Sequence, residues 1–304
     1  MYNPEVFGFI YTAMQTNFKT IGILGKPSDP GIAETLTVLY QFLRQEHVVL
    51  IDNHSAEFIS EAESSHINDF GKHCDLVIAV GGDGTFLAAA RAIAAFDIPL
   101  IGVNLGRLGF LVDISSDQLI ENLTAILAGH FDQEQRYLLR AQIIRDNQVI
   151  HEETAVNEVV IHRWITPSMI EITTKINGVF LNAQRSDGLI VSTPTGSTAY
   201  ALSAGGPILH PSLHALVLVP LNPHAFSNRP IVIDDTAEIE INFSQTHQIN
   251  ALVTCDHVEI PEVIISDKIL IKKILKPITI LHPEGHDFFN TLRNKLSWST
   301  GYHT

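Results

Sequence analysis

From Lys19 to about His130, short apolar runs alternate with stretches of helical pattern. Thr20–Leu24, Val48–Ile51, Leu76–Val80 and Pro99–Val103 are rich in β-branched residues and lack polar alternation, as expected of strands covered on both faces. Within Gly31–Glu46, Ile32, Leu36, Leu39, Tyr40 and Leu43 recur at helical spacing. Gly84–Phe96 is alanine-rich and favours a helix. Ser115–Gln118 offers a capping box for a helix that runs through Leu127 and stops at Gly129. Strand alternating with helix predicts a parallel sheet in a doubly wound α/β domain.

After about Gln135 the texture changes. Leu138–Arg145, Val149–His162, Met169–Ile176, Leu189–Ser192, Ala215–Val219, Ile231–Ile233, Ala237–Phe243, Ala251–Thr254 and Ile269–Ile274 read as strands, and Asn177–Gly178 is a hairpin turn signal. Helical pattern is nearly absent, which predicts a sandwich or barrel of antiparallel strands. Phe288, Phe289, Leu292 and Leu296 mark one late amphipathic helix, a docking element rather than a domain. Residues 1–18 show no period and read as an N-terminal extension in which Met14 is an alternative start. The boundaries expected are therefore 1–18, 19–135 and 136–284, with 285–304 as the docking segment.

Composition narrows the class. The 304 residues suit two domains, and 45% apolar with 17% charged residues excludes a disordered or fibrous chain. No window approaches the roughly 18 apolar residues of a membrane span, and the N-terminus lacks the basic and small-residue features of a secretory leader. Cys74 and Cys255 are too few for a disulfide framework or a four-ligand zinc site and read as buried thiols in a reducing, cytoplasmic setting. The formal charge of −14 opposes general binding to nucleic acid or anionic lipid. The expected protein is soluble and cytoplasmic, with small-molecule partners, no nucleic acid and no membrane.

Two segments carry candidate chemistry. Leu76–Val80 runs into Gly81–Gly82–Asp83–Gly84–Thr85 and then into a helix. That is where doubly wound sheets place ligands, and glycine amides at a helix N-terminus cradle phosphate. The turn matches neither GxGxxG nor GxxxxGK[ST], which disfavours an ordinary dinucleotide oxidoreductase and a P-loop enzyme. A lone Asp83 carboxylate would repel phosphate there unless it meets a nucleophilic hydroxyl or a cation; accepting the proton of an attacking hydroxyl is such a role. The plainer alternative is a tight turn whose Asp caps the helix. The second segment, Arg185–Pro207, holds RSDGLIVSTPTGSTAYALSAGGP, a run of hydroxyls and glycines with one aromatic ring. It suits a polar nucleotide pocket, or a turn and capped helix whose hydroxyls satisfy backbone groups.

Together, Gly81–Thr85 and Arg185–Pro207 closely resemble NAD kinases, the enzymes that phosphorylate NAD to NADP. Asn104–Leu111 (NLGRLGFL), Asn157–Glu158, Pro220–His224 and Arg229–Pro230 strengthen the likeness, which runs from about Phe18 to Trp298. The resemblance implies an N-terminal doubly wound α/β nucleotide domain, a C-terminal β-sandwich domain and a C-terminal helix returning to the first. It implies transfer of the ATP γ-phosphoryl group, with Mg²⁺, to the 2′-hydroxyl of the adenosine ribose of NAD, in a homotetramer. Asp83 becomes the proton acceptor, with Gly81, Gly82, Gly84 and Thr85 around the phosphates. Asp83, Gly84, Asn157, Glu158, Ser168, Arg185, Asp187, Thr198, Ala199, Tyr200, Ala201, Leu202 and Ser203 fall at positions that contact NAD. His257 stands where relatives often place Gln; both hydrogen-bond, but His also titrates near neutrality. His162 and His224 read as structural. GGDGT alone also fits lipid kinases and phosphofructokinase-like sugar kinases, and a NAD(H)-sensing module without catalysis is the rival outside enzymology. TPTGSTAY after RSDG separates the family from these, and the intact Asp83 argues for catalysis.

Overall fold

The computed structural model describes residues 18–26, 29–59, 61–62, 64–106, 109–164, 168–244, 251–261 and 263–298. The extension before Phe18, with Met14, and the Arg107–Leu108 part of the loop motif lie outside these residues. The chain divides into two compact units, Met1–Gln135 with Ile278–Thr304, and Arg136–Pro277.

In chain order the first unit contains β1 (Thr20–Gly25), α1 (Ala33–Leu43), β2 (Val48–Asp52), α2 (Asn53–Ala56), β3 (Ser64–Ser65), α3 (Ile67–His73), β4 (Leu76–Val80), α4 (Asp83–Ile93), β5 (Leu100–Asn104), β6 (Ile114–Ser115), α5 (Leu119–Leu127) and β7 (Asp132–Arg136). The second contains β8 (Leu139–Arg145), β9 (Gln148–Ala155), β10 (Glu158–Arg163), β11 (Ile170–Ile176), β12 (Val179–Ser186), β13 (Gly188–Ser192), α6 (Tyr200–Ser203), β14 (Ala215–Leu221), β15 (Ile231–Asp234), β16 (Ile239–Phe243), β17 (Ala251–Cys255), β18 (Val258–Ile260) and β19 (Lys268–Lys273). The chain then returns to the first unit with β20 (Ile278–His282) and α7 (Phe288–Leu296).

The first sheet runs β3-β2-β1-β4-β5-β20-β7, with β6 beside β5. Strands β1, β2, β4 and β5 pair in parallel, and every residue of β4 and β5 is buried, as strands covered by helices on both faces require. The helical stripe of α1 fills one side of that core through Leu36, Leu39, Tyr40 and Leu43. The second unit has two antiparallel six-stranded sheets, β15-β14-β13-β10-β17-β18 and β12-β11-β16-β19-β8-β9. They share one core, Leu139, Ile143, Ile172, Ile241 and Ile269 from one sheet meeting Val159, Leu189, Leu218 and Val253 from the other. The outer face of β10, β13 and β14 carries a smaller core, in which Val160, Ile190, Val217 and Val219 bury Ala201 and Leu209.

Three expectations are corrected. The second domain was expected to reach residue 284, but Ile278–His282 is the strand parallel to β5, Ile280 opposite Leu100. This run is short and bracketed by Pro277 and Pro283, which concealed it, yet it buries Ile278, Ile280 and Leu281. Val149–His162 is two strands in different sheets, broken at Val156–Asn157. The capping box does not form: Ser115 makes no side-chain cap, and Ser116–Gln118 winds into a 3₁₀ turn instead.

Candidate functional site

In the first unit the glycine-rich turn joins β4 to α4. Gly81 N–H donates to Val103 O at 2.8 Å, and a Cβ on Gly81 would lie 2.5 Å from Thr85 Oγ1, so the turn is tied to β5 and folded tightly on itself. The ladder of α4 starts with Phe86 N–H on Gly82 O, ahead of which the amides of Asp83 and Gly84 have no acceptor within the helix. Gly82 and Gly84 are exposed, and a Cβ on either would meet nothing within 4 Å. Packing therefore does not require glycine there; open space and free helix-end amides suit an anionic ligand.

Asp83 does not cap its helix. Gly82 is the N-cap and contributes no side-chain bond. The Asp83 carboxylate accepts instead from Phe110 N at 3.3 Å and Leu111 N at 3.1 Å. A Cβ on Gly109 would fall 2.3 Å from Asp83 Oδ1, so glycine at 109 is what lets the carboxylate seat against this loop. Asn104 holds the loop, donating to Val112 O and accepting from Gly106 N at 2.9 Å. The NLGRLGFL motif thus supplies the platform on which Asp83 is oriented.

In the second unit the break between β9 and β10 is made by Asp256. Its carboxylate accepts from the amides of Val156, Asn157 and Glu158 at 2.6, 2.8 and 3.1 Å. Asp256 and His257 form the two-residue turn between β17 and β18, both with positive φ (46° and 74°), as a type I′ hairpin demands. Glu158 is buried, its Oε2 meets no partner, and neither does Asn157 Oδ1. Burial first, and then the negative charge of Asp256, push the Glu158 carboxyl up to about 8. A cleft of about 430 Å³ opens here, lined by Glu158, His162, Trp164, Tyr200, Thr254, Asp256, His257 and Glu259, with Val160 and Leu252 as its apolar part. Trp164 and Tyr200 are 48% and 45% exposed, two aromatic faces available to a planar ring.

The cleft brings Glu158, Tyr200 and His257 together. Arg185 and Asp187 do not line it and do not pair with each other: Arg185 binds Glu171 at 3.0 Å, while Asp187 binds Arg163 at 2.8 Å and Asn222 at 2.9 Å. Ser168 is exposed just before β11 and also lies outside the cleft lining. Ala201 is wholly buried in the small core, which leaves its methyl a packing role; Thr198, Ala199 and Leu202 are half-buried and Ser203 is exposed. Most hydroxyls of the STPTGS stretch serve the backbone. Thr193 Oγ1 donates to Val156 O at 2.7 Å, Ser197 Oγ donates to Pro194 O and accepts from Leu209 N, and Thr195 accepts from Arg136. Gly196 packs on the same break, with a Cβ there only 2.4 Å from Asn157 O. Sequence reasoning gave no role to Asp256 or Trp164, which line this cleft; no local pattern in the sequence marks either.

Two other features resemble ligand sites. A cleft of about 620 Å³ over β8 and β19 is lined by Arg140, Lys272, Lys273 and Lys276, but Lys272 pairs with Glu238 and Lys273 with Asp235. In the first unit, Asp113, His282 and His286 bring three ligand atoms within 4.8 Å of one another. The two rings stack at 3.8 Å, and both Nδ1 atoms address the same Asp113 Oδ2, at 2.8 and 3.0 Å. His282 Nε2 faces Glu134 at 3.3 Å. This is a hydrogen-bonded clamp whose nitrogen-rich donors differ from the oxygen set Mg²⁺ favours; the half-buried Asp83 carboxylate is the kind of oxygen ligand that suits Mg²⁺.

Comparison with known proteins follows the same division. Residues 21–131 match the ATP-NAD kinase N-terminal domain and residues 156–278 the ATP-NAD kinase C-terminal domain. The chain is 50% identical over 288 residues to the NAD kinase of Methylococcus capsulatus, covering 94% of this chain and 99% of that one. It is 45% identical over 288 residues to the NAD kinase of Colwellia psychrerythraea, covering 94% and 98%. Among solved structures, an NAD kinase from Archaeoglobus fulgidus in complex with ATP superposes with a TM-score of 0.70 at 26% identity, over 91% of this chain and 98% of that one. Yeast NADH kinase complexed with NADH shares the fold, with a TM-score of 0.88 at 23% identity over 95% and 90%.

Proposed function

This chain belongs to the NAD kinase family and phosphorylates NAD, and we propose that it does so by direct transfer of the ATP γ-phosphoryl group to the 2′-hydroxyl of the adenosine ribose, giving NADP and ADP. The observation that carries the mechanism is the seating of Asp83. Its carboxylate leaves the helix end and is oriented by the Phe110 and Leu111 amides, while the amides of Asp83 and Gly84 stay available to phosphate. As the hydroxyl oxygen bonds to the γ-phosphorus, the bond to the β-phosphate oxygen breaks, and the hydroxyl proton passes to Asp83. A carboxylate is a weak base for a free hydroxyl, but in a loose transition state, with proton loss late, orientation and acceptance suffice. Gly81, Gly82, Gly84 and Thr85 surround the phosphates. Mg²⁺, held by Asp83 and the substrate phosphates, would neutralise charge developing on the transferred group. The dinucleotide is read in the second unit by Asn157, Glu158, Tyr200 and His257, supported by their grouping at one cleft and one strand break. Thr198, Ala199, Leu202 and Ser203 remain in the proposed lining; Arg185, Asp187 and Ser168 belong to its periphery.

The same reading makes the protein a cytoplasmic homotetramer, supported by family likeness and by two buried cysteines that form no disulfide, and checked by sedimentation. The test of function is a coupled assay of the full chain with NAD, ATP and Mg²⁺, scored for NADP, with Asp83→Asn alongside. NADP from the wild type and not from the variant is expected. An Asn variant with near-normal turnover removes Asp83 as proton acceptor, and NAD binding without NADP from either protein removes ATP as the phosphoryl donor.

A further inference from the structure

The start of β10 is fixed from a distant strand pair. Asp256 accepts three successive amides from 156–158 and donates its own N–H to Glu158 O at 3.1 Å. These bonds end the pairing of β9 with β8 and send the chain into the other sheet, setting Glu158 into the cleft wall at 3% exposure with Oε2 unpartnered. We propose that Asp256 is a positioning residue of the nucleotide site, which locks this strand break and presents the Glu158 carboxyl to the dinucleotide as a neutral hydrogen-bond donor. The proposal rests on the NAD-phosphorylating reading above.

The surroundings favour the neutral acid. The titratable groups around Glu158 are Asp256 and His257 on the β17–β18 turn, Glu259 on β18, His162 further along β10 and Tyr200 on α6; from β13 the facing residue is Ser192. No lysine or arginine is among the described lining residues. An ionised Glu158 would stand beside Asp256 without a compensating cation and would face a pyrophosphate-bearing ligand. With its carboxyl held up to about 8, Glu158 is protonated at neutral pH, when it both donates and accepts. A carboxylic acid kept neutral so that it can donate is an established use of an apolar, like-charged site.

Calorimetric titration of NAD into the full-length protein, without ATP or added metal, tests this between pH 6.5 and 9.5. The dissociation constant should be flat below pH 7 and rise about tenfold by pH 9 as the donor is lost. Glu158→Gln, a fixed neutral donor, should bind within about threefold of wild type at pH 7 and stay flat to pH 9.5. Asp256→Asn, with folding checked by circular dichroism, should move the wild-type break to lower pH, because the like charge is gone; a merely structural aspartate would leave the break in place. If that variant does not fold, the Glu158→Gln profile decides alone. A pH-independent wild type, or Glu158→Gln as weak as Glu158→Ala at pH 7, overturns the proposal while leaving the kinase reading intact. No NAD binding at any pH overturns that reading and this proposal with it.

Discussion

The turn at 81–85 and the segment at 192–197 are both dense in small and hydroxylic residues, yet they are built to opposite ends. In the first, Gly82 and Gly84 touch nothing that a methyl would disturb, and Asp83 is carried away from the helix it begins. In the second, Ser192, Thr193 and Ser197 spend their hydroxyls on Asn157 O, Val156 O, Pro194 O and Leu209 N, and Gly196 is pressed against a carbonyl. One motif leaves open space at a helix end; the other assembles a scaffold, and the cleft-lining groups lie beside it. Residue type alone does not separate these uses, whereas the neighbours of each glycine do.

The largest effect should come from the residue that sets the first region apart. Asp83→Asn should lower kcat by about 10²- to 10⁴-fold, the usual worth of a positioned proton acceptor. Calorimetric NAD affinity should stay within about threefold, as expected of an interaction made only in the transition state. A comparable loss of affinity would make Asp83 a binding group and blur the contrast.

The units are also pinned differently. The first holds His282, fully buried, between Asp113 and Glu134. Burial opposes its charge, but the two carboxylates prevail and raise the imidazole from 6.5 to about 9, while the two histidines hold Asp113 well below the usual carboxylate range. A raised histidine contributes stability that is complete below its unfolded value of 6.5 and is lost as pH climbs through about 9. Glu158, raised from 4.5 to about 8, tilts stability in the same direction but over a lower window. The informative quantity is therefore the wild-type minus His282→Gln difference in melting temperature, which should shrink by several degrees from pH 7 to pH 10. A difference constant with pH would make His282 a neutral packing residue.

For the scaffold, Thr193→Val leaves Val156 O and Gly196 N without their partner and should cost about 1–3 kcal/mol. Gly196→Ala forces a Cβ to within 2.4 Å of Asn157 O and should cost about as much by overpacking. Both are read by urea unfolding; a variant of either kind that keeps full stability but loses NAD affinity would return the segment to the ligand.

Local pattern made the parallel strands, α1, α4 and most sheet strands legible, because continuous burial and the 3.6 period are written within each element. The glycine turn stood out because its backbone geometry, a strand end running straight into a helix start, is local as well. What escaped depended on partners far along the chain. Asp256 is 98 to 100 residues from the three amides it holds, so the break at 156–157 is invisible in a β-branched run that continues past it. Arg185 and Asp187 sit two apart and invite pairing, but their true partners, Glu171, Arg163 and Asn222, are chosen by sheet register and by the crossing from β12 to β13.

The smallest change bears most directly on the contrast. Gly84 lies in the first turn of α4, needs no left-handed backbone and has open space where a Cβ would go. If packing were all that mattered, Gly84→Ala would be an improvement, worth about 0.5–1 kcal/mol through reduced backbone entropy. If the space belongs to substrate, the same methyl must intrude on phosphate held at the helix end. The variant should therefore melt at or slightly above the wild-type temperature while KM for ATP or NAD rises by about tenfold, a cost of roughly 1.4 kcal/mol in substrate binding. Gly196→Ala should show the reverse, reduced stability with KM little changed in the fraction that remains folded. If Gly84→Ala is stabilised with unaltered kinetics, the open turn is empty of function, and the catalytic geometry must be sought from the other unit's cleft outward.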